Sequence, residues 1–197
     1  MTLPLDVGRV GVEWCLFLDR DGVINRRIKG DYVRTWEQFE FLPGAESALA
    51  VLTNWAPHTV ILTNQQGVGK GVMSRQDLDG IHDRMLRAIR AASGRVDAVL
   101  ACVHLEAEQC DCRKPRPGLA VRWLAEHPTV RGDRSVMVGD SRSDLLMARK
   151  LAEVTGGCAA VMLGDAPEGE LSDLRLGSLA ELAAVIVGEP KGASEWR

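Results

Sequence analysis

The stretch Trp14-Cys15-Leu16-Phe17-Leu18-Asp19-Arg20-Asp21-Gly22 decides the fold, because an unbroken apolar run ends in two acids and a glycine. A short run that is apolar throughout is typical of a strand in a parallel sheet covered on both faces. Asp19 and Asp21 would then lie at the carboxyl end of that strand, where open α/β sheets bind ligands. Two neighbouring carboxylates stay ionised mainly when a cation lies between them. The alternative at this point is an ordinary Asp-Gly turn with solvated acids.

Similar apolar runs alternate with helical patterns along the rest of the chain. Strands are predicted over residues 14–18, 58–62, 98–103, 135–138 and 158–163. Helices are predicted over residues 45–55, 75–92, 119–126, 144–153 and 179–187, with Ser74 as the N-cap of the second and Ser143 before the fourth. This alternation is typical of βαβ units, so we expect an α/β fold with a doubly wound parallel sheet.

Size and composition favour one domain. The chain has 197 residues, of which 46% are hydrophobic and 26% charged, and its net charge is -3. We expect a single domain over residues 1–188 and a flexible tail at 189–197. The charge gives no basic stripe for nucleic acid, no apolar run reaches the roughly 20 residues of a membrane span, and no secretory signal precedes the first strand. We therefore expect a cytoplasmic protein without nucleic-acid or membrane partners, and we expect a monomer.

Polar residues also follow two other predicted strands. Thr63, Asn64 and Gln65 come after the second strand and would supply hydrogen-bond donors for phosphate oxygens. Asp140 comes after the fourth strand and adds a third strand-terminal carboxyl group. Three carboxyl groups with waters suit a hard, octahedral ion such as Mg²⁺. The glycine-rich run at residues 67–71 lacks the Ser or Thr that a P-loop requires after its lysine, so we expect a flexible loop there.

Three of the five cysteines crowd with a histidine into one short segment. Its four side chains offer three thiolates and one imidazole, the ligand set of a tetrahedral Zn²⁺ site: Cys102, His104, Cys110 and Cys112. The alternative, buried free cysteines, suits Cys15 and Cys158 within the strands. Since the protein would fill all four positions, such an ion would be structural. The segment therefore predicts a zinc-binding loop.

Four features in this order resemble the haloacid dehalogenase (HAD) superfamily: Asp-x-Asp-Gly, a strand-terminal Thr, a later Lys and Gly-Asp-x-x-x-Asp. The resemblance covers residues 14–163 and implies a phosphatase without a large cap domain. It implies Asp19 as the nucleophile, Asp21 as the general acid–base, and Thr63 and Lys114 as the residues that hold the phosphoryl group. It also implies Mg²⁺ bound by the Asp19 carboxylate, the Asp21 main-chain carbonyl and Asp140. The role of Asp144 stays open.

The zinc ligands just before Lys114 resemble a zinc-containing subgroup of that superfamily, whose members act on heptose 1,7-bisphosphate or on histidinol phosphate. The resemblance implies substrate contacts from four residues: Asn64, Gln65, Arg113 and Arg116. The run Arg113-Lys114-Pro115-Arg116-Pro117-Gly118 is similar to the heptose enzymes. The short spacing between His104 and Cys110 is similar to the histidinol enzymes instead.

Charge in the loops favours the sugar substrate. A bisphosphate needs cationic contacts for the phosphate that does not react, and four side chains could supply them: Arg26, Arg27, Lys29 and Arg116. We therefore expect a small phosphorylated sugar that loses its 7-phosphate, with histidinol phosphate as the alternative. A non-catalytic, zinc-stabilised binding module is a further alternative, but every catalytic position is filled by the residue that the chemistry needs.

Overall fold

A parallel sheet lies at the centre of the computed structural model, which describes residues 11–164 and 171–188. Its six strands are β1 (Cys15–Leu18), β2 (His58–Asn64), β3 (Ala98–Cys102), β4 (Val136–Gly139), β5 (Ala159–Leu163) and β6 (Leu174–Leu176). Their order across the sheet is β3-β2-β1-β4-β5-β6, so the order reverses between β1 and β4. This is the order of Rossmann-type folds, and it confirms the expected doubly wound parallel sheet.

Helices cover both faces of the sheet. The described residues form six α-helices: α1 (Ala45–Trp55), α2 (Gln66–Gly69), α3 (Arg75–Ala91), α4 (Gly118–Glu126), α5 (Arg142–Thr155) and α6 (Leu179–Val187). Short 3-10 helices occupy Trp36–Gln38, Glu106–Glu108 and Gly132–Arg134. Within the described ranges, no helix combines the length and the apolar character that crossing a bilayer requires. The predicted tail at residues 189–197 lies outside the described residues.

The side chains of β1 point alternately to the two faces of the sheet, and the core accordingly has two layers. Leu16 and Leu18 pack in one cluster with residues of α1, α3 and α6, whereas Cys15 and Phe17 pack in another with residues of α4 and α5. All four side chains are fully buried, because successive side chains of a strand point to opposite faces and both faces are covered. The apolar run that ends at Asp19 is therefore the central strand of a three-layered structure.

Three local predictions differ from the structure. The helix predicted from residue 144 begins at Arg142, because Ser141 rather than Ser143 is its N-cap and exchanges hydrogen bonds with Asp144. The loop predicted at residues 67–71 contains α2. This short helix packs so closely on the end of β3 that a side chain at Gly69 would collide with the Val103 carbonyl. Strand β6 was not expected, since its three residues are too few to show a period.

Candidate active site

The reversal of strand order brings two of the predicted acids together. Asp19 follows β1 and Asp140 follows β4, and these strands pair in register, with the Asp19 amide donating to the Val138 carbonyl at 2.9 Å. Asp144 joins them from the first turn of α5. One carboxylate oxygen from each of the three acids lies within 4.8 Å of the other two. Asp144, whose role the sequence left open, is therefore part of the acid cluster.

Two glycines make this approach possible. Gly22 has φ +92°, and a side chain there would run into the Asp140 carboxylate. Gly139 lies so close to Asp144 that a methyl group would overlap its side chain. Gly22 is thus required by contact between the two motifs, and Gly139 by contact within the second motif, because only glycine leaves the necessary space.

Lys114 connects two of the acids. Its Nζ lies 2.7 Å from Asp19 Oδ1 and 2.7 Å from Asp144 Oδ1, and it donates to the Leu62 carbonyl at 2.7 Å. Only 4% of the lysine is exposed. Burial lowers its pKa, but the charges of Asp144 and Asp19 outweigh burial and hold the pKa above its ordinary value. Lys114 is therefore a fixed cation beside the predicted nucleophile.

Asn64 positions the backbone of Lys114. Its Oδ1 accepts from the Lys114 amide at 3.0 Å, and its Nδ2 donates to the Lys114 carbonyl at 3.1 Å. This pair of bonds ties the segment that follows the cysteine cluster to the end of β2. Asn64 also lines the cavity beside Asp19, which is compatible with the substrate contact expected of it.

Asp21 points away from the acid cluster and into a group of donors. Arg20 donates to both of its oxygens at 3.0 and 2.9 Å, Asn25 donates at 2.9 Å, and Gln65 donates at 2.7 Å. Burial would raise the pKa of Asp21, but the charge of Arg20 and these hydrogen bonds hold it below its ordinary value. The main-chain carbonyl of Asp21 accepts a hydrogen bond from the same Arg27 nitrogen that donates to Asp140.

Arg20 is itself in contact with a buried histidine that no sequence pattern singled out. The arginine is fully buried, and its second terminal nitrogen lies 3.0 Å from His82 Nε2 on α3. Because arginine only donates, His82 accepts through Nε2 and is neutral. Burial, reinforced by the charge of Arg20, lowers the pKa of His82 to about 3. A chain of contacts thus runs from α3 to the acid–base candidate Asp21.

Burial and the charge of Asp144 raise the pKa values of two of the clustered acids, Asp19 and Asp140. Burial raises the pKa of Asp19 to about 7, with a contribution from Asp144 and opposition from Lys114. Burial also raises the pKa of Asp140 to about 6, against the opposing charge of Arg27. Added positive charge stabilises the ionised forms of Asp19 and Asp140, and the three clustered carboxylates offer oxygen ligands, so the donor set fits a hard divalent cation.

The four predicted zinc ligands also come together. The sulfur–sulfur distances are 3.6 Å for Cys102 to Cys110, 3.3 Å for Cys102 to Cys112 and 3.3 Å for Cys110 to Cys112. His104 Nδ1 lies 3.1 Å from the Cys112 sulfur and 3.8 Å from the Cys102 sulfur. A tetrahedron with zinc–sulfur bonds of about 2.3 Å has edges of about 3.7 Å, so the cluster fits zinc after small adjustments.

The remaining predicted residues divide between two cavities and the protein interior. Thr63, Asn64 and Lys114 line the cavity beside Asp19, together with Arg27, Tyr32 and Lys70, which the sequence did not single out as a group. Arg113 and Arg116 line a second cavity with Lys150, and the Arg116 guanidinium donates to the carbonyls of Gln109 and Cys110 in the zinc-binding loop. Gln65 is fully buried and donates to Thr63 Oγ1 at 2.7 Å, behind the acids.

This arrangement is suited to phosphoryl transfer. A carboxylate beside a fixed lysine offers a nucleophile and a countercharge for a phosphoryl group, and a second carboxylate is available for proton transfer. The reaction depends mainly on positioning and on neutralised charge, both of which the cluster supplies.

Comparisons with known proteins agree with this chemistry. A family model described as HAD-hydrolase-like matches residues 111–152. The chain is 49% identical over 184 residues to the D-glycero-alpha-D-manno-heptose-1,7-bisphosphate 7-phosphatase of Mycobacterium tuberculosis, covering 93% of this chain and 96% of that protein. It is 35% identical over 172 residues to the D-glycero-beta-D-manno-heptose-1,7-bisphosphate 7-phosphatase of Bordetella bronchiseptica, covering 84% and 95% of the two chains.

A solved structure is similar over nearly its whole length. The crystal structure of D,D-heptose 1,7-bisphosphate phosphatase from B. bronchiseptica, complexed with magnesium and phosphate, superposes with a TM-score of 0.76 and 31% identity. The match covers 90% of this chain and 99% of that one. The resemblance inferred from the sequence motifs is thereby confirmed. The chain belongs to the HAD phosphatases, in the family of the heptose-1,7-bisphosphate 7-phosphatases.

Proposed function

We propose that the protein removes the 7-phosphate from D-glycero-D-manno-heptose 1,7-bisphosphate in a Mg²⁺-dependent reaction. The observation that carries the proposal is the position of Asp19, which lines an open cavity, lies 2.7 Å from Lys114 and clusters with Asp140 and Asp144. The relatives named for this reaction support the substrate. The relative named for the alpha anomer is 49% identical, whereas the beta-anomer relative from B. bronchiseptica is 35% identical. We therefore propose the alpha anomer as the preferred substrate.

In the proposed first step, Asp19 attacks the phosphorus and the bond between phosphorus and the C7 oxygen breaks. Asp21 lines the same cavity, and the negative charge of the bound substrate beside it favours its protonated form. The leaving oxygen takes this proton from Asp21, and the phosphoryl group remains on Asp19 as an acyl phosphate. In the second step Asp21 accepts a proton from water, which attacks the acyl phosphate, releases inorganic phosphate and restores Asp19. Lys114 neutralises charge on the phosphoryl oxygens throughout, and Thr63 is placed to donate to them.

We assign the divalent cation to the Asp19 carboxylate, the Asp21 main-chain carbonyl and Asp140. When bound, it supplies positive charge to the transferring phosphoryl group. We assign Zn²⁺ to Cys102, His104, Cys110 and Cys112, where its role is structural because four protein ligands complete its coordination.

The second phosphate needs its own positive charge, and the cavity beside Asp19 provides it. Lys70 lines this cavity, with its Nζ 5.4 Å from the centre of the Tyr32 ring. Asp31 also lines this cavity, and its pairing with Arg34 at 2.6 Å offsets its negative charge near the lysine. Four cations were considered from the sequence. Arg26 is paired with Glu40 at 2.8 Å, and Arg116 lines the second cavity. Arg27 lines the cavity beside Asp19 but is paired with Asp140 at 2.7 Å, and Lys29 is not among the lining residues of that cavity. We therefore assign Lys70 to the second phosphate.

Phosphate release tests the reaction and the substrate together. We expect the highest kcat/KM with the alpha anomer of heptose 1,7-bisphosphate, compared with the beta anomer and histidinol phosphate. The Asp19→Asn variant should release no phosphate while keeping its fold, because the change is nearly isosteric. Full activity in that variant would refute Asp19 as the nucleophile. A kcat/KM for histidinol phosphate above that for both heptose anomers would refute the proposed substrate in favour of histidinol phosphate.

A matched pair of variants tests the role of Lys70. Lys70→Gln should raise KM for the bisphosphate and leave kcat near the wild-type value, because the residue contacts only the phosphate that stays. Arg75→Gln, on the exposed first turn of α3, is the control and should leave both constants unchanged. An equal loss of kcat in Lys70→Gln would show that the lysine acts at the reacting phosphate instead.

Elemental analysis tests the metal assignment. Protein purified without added metal should contain close to one zinc per chain. A folded and active protein without zinc would contradict the assignment.

A further inference from the structure

One nitrogen of Arg27 lies among the oxygens that we assign to the catalytic cation. Its Nη2 donates to Asp140 Oδ1 at 2.7 Å and to the Asp21 carbonyl at 3.2 Å, and it lies 3.9 Å from Asp19 Oδ2. The guanidinium therefore contacts one oxygen from each of the three residues in the proposed metal site, two through hydrogen bonds and one through an ion pair. Across the described ranges, the positively charged groups placed around these acids are Arg27 on one side and Lys114 on the other.

These three oxygens cannot bind the Arg27 guanidinium and Mg²⁺ at the same time. Mg²⁺ binds oxygen at about 2.0–2.1 Å and needs near-octahedral geometry. An ion at such distances from these oxygens would overlap the Arg27 nitrogen, and two positive centres in contact repel each other strongly. We infer that Arg27 is an internal counter-cation that competes with the divalent metal ion, so metal binding expels its guanidinium from the acid cluster.

The local structure allows this exchange without unfolding. The Arg27 side chain is 46% exposed, so it can turn toward solvent while the buried acids stay in place. The preceding residue is anchored, because the Arg26 amide donates to the Glu40 carbonyl at 2.8 Å and its side chain is paired with Glu40. Arg27 also lines the cavity beside Asp19, so a guanidinium released from the acids remains next to the substrate.

Two possible roles of Arg27 predict opposite effects of its removal on the affinity for the metal ion. If Arg27 merely stabilised the metal site, its removal would weaken metal binding. If it competes, its removal should strengthen metal binding, because the metal ion no longer has to break the contacts of the arginine. Hydrogen bonds to charged groups contribute about 1.5 kcal/mol at the low end, and partial exposure argues for that end of the range. We therefore expect the Kd for Mg²⁺ to fall about tenfold in Arg27→Gln.

Isothermal titration of Mg²⁺ into dialysed protein, without substrate and without chelator so that the zinc-binding loop keeps its metal, measures this directly. Arg26→Gln is the matched control, since it removes a neighbouring arginine that pairs with Glu40 outside the acid cluster, and its Kd should equal that of the wild type. An unchanged or higher Kd in Arg27→Gln would overturn the inference.

Thermal unfolding gives a second readout. Without Mg²⁺, Arg27→Gln should have a lower Tm than the wild type, because the acids have lost a countercharge, and saturating Mg²⁺ should remove the difference. A Tm deficit that persists unchanged in saturating Mg²⁺ would also overturn the inference. The metal assignment belongs to the proposed function, but neither measurement uses a substrate. A failure of the heptose assignment would leave the Kd result standing, and an unchanged Kd would leave the substrate assignment standing.

Discussion

His82 should make the protein sensitive to acid in a way that a single substitution removes. In the folded chain its pKa is about 3, because the ring is buried and accepts a hydrogen bond from the Arg20 guanidinium. In the unfolded chain the pKa returns to about 6.5. Below pH 6.5 the unfolded state therefore binds a proton that the folded state does not. The free energy of unfolding falls as the pH falls, and the full contribution of the neutral histidine is present above pH 6.5.

The size of the effect follows from the gap between the two pKa values. Each pH unit below 6.5 costs about 1.4 kcal/mol until the pH reaches the folded pKa. At pH 5 the loss is therefore about 2 kcal/mol, and any folded pKa below 4 gives the same figure at that pH. With a urea m-value of about 2 kcal/mol/M, the midpoint of unfolding should move by about 1 M.

Urea unfolding of the wild type and His82→Gln at pH 8 and pH 5 provides the assay. Glutamine keeps an acceptor for Arg20 but does not titrate, and every other acid and thiol is common to both proteins. We expect the stability difference between the two proteins to shift by about 2 kcal/mol between the two pH values, in favour of the variant at pH 5. Identical pH dependence in the two proteins would refute the assignment of a buried, neutral His82.

Three further changes should have graded effects. Asp144→Ala removes one of two carboxylates from buried Lys114 and should lower the free energy of unfolding by about 3 kcal/mol, whereas Asp79→Ala, in an exposed pair, should lower it by less than about 1 kcal/mol in the same urea assay. Cys110→Ser should lower both zinc content and kcat, because the loop that carries Lys114 loses a ligand, and wild-type kcat in a zinc-depleted variant would disprove that coupling. Ser74→Ala should lower Tm through a loss of about 1 kcal/mol, because the serine caps α3 by accepting from Asp77, and a shift absent in calorimetry would contradict the capping role.

The strand-terminal acids could be predicted because their positions depend on local pattern alone. An apolar run followed by Asp19 or Asp140 places each acid at the same edge of a parallel sheet, whichever strands are neighbours. Asp144 could not be assigned, since one of its oxygens caps α5 at Ser141 while the other receives Lys114. An acid in the first turn of a helix looks the same in sequence whether it has one role or two.

Contacts between distant segments could not be predicted from the sequence, for a different reason. Arg20 and His82 are 62 residues apart, and a buried histidine on α3 carries the same pattern as any core position of an amphipathic helix. The position of Arg27 over the acids is equally a property of the folded loop. The cysteine cluster could be predicted, because its four candidate ligands lie within eleven residues of sequence. Their spacing along the chain is enough to indicate that they meet, whatever the rest of the fold is.

The pairing of β1 with β4 has a consequence for how activity appears during synthesis. The proposed nucleophile, Asp19, and strand β1 are synthesised early, and β1, β2 and β3 can begin to form a sheet before residue 136 is added. Asp140 and Asp144 arrive only with β4 and α5, and the pairing that receives them closes a loop of about 120 residues. A nascent chain released before that point would carry the attacking carboxylate without the acids that complete its surroundings. If these acids carry the reaction as proposed, we expect phosphate release to recover during refolding only after β4 has paired with β1.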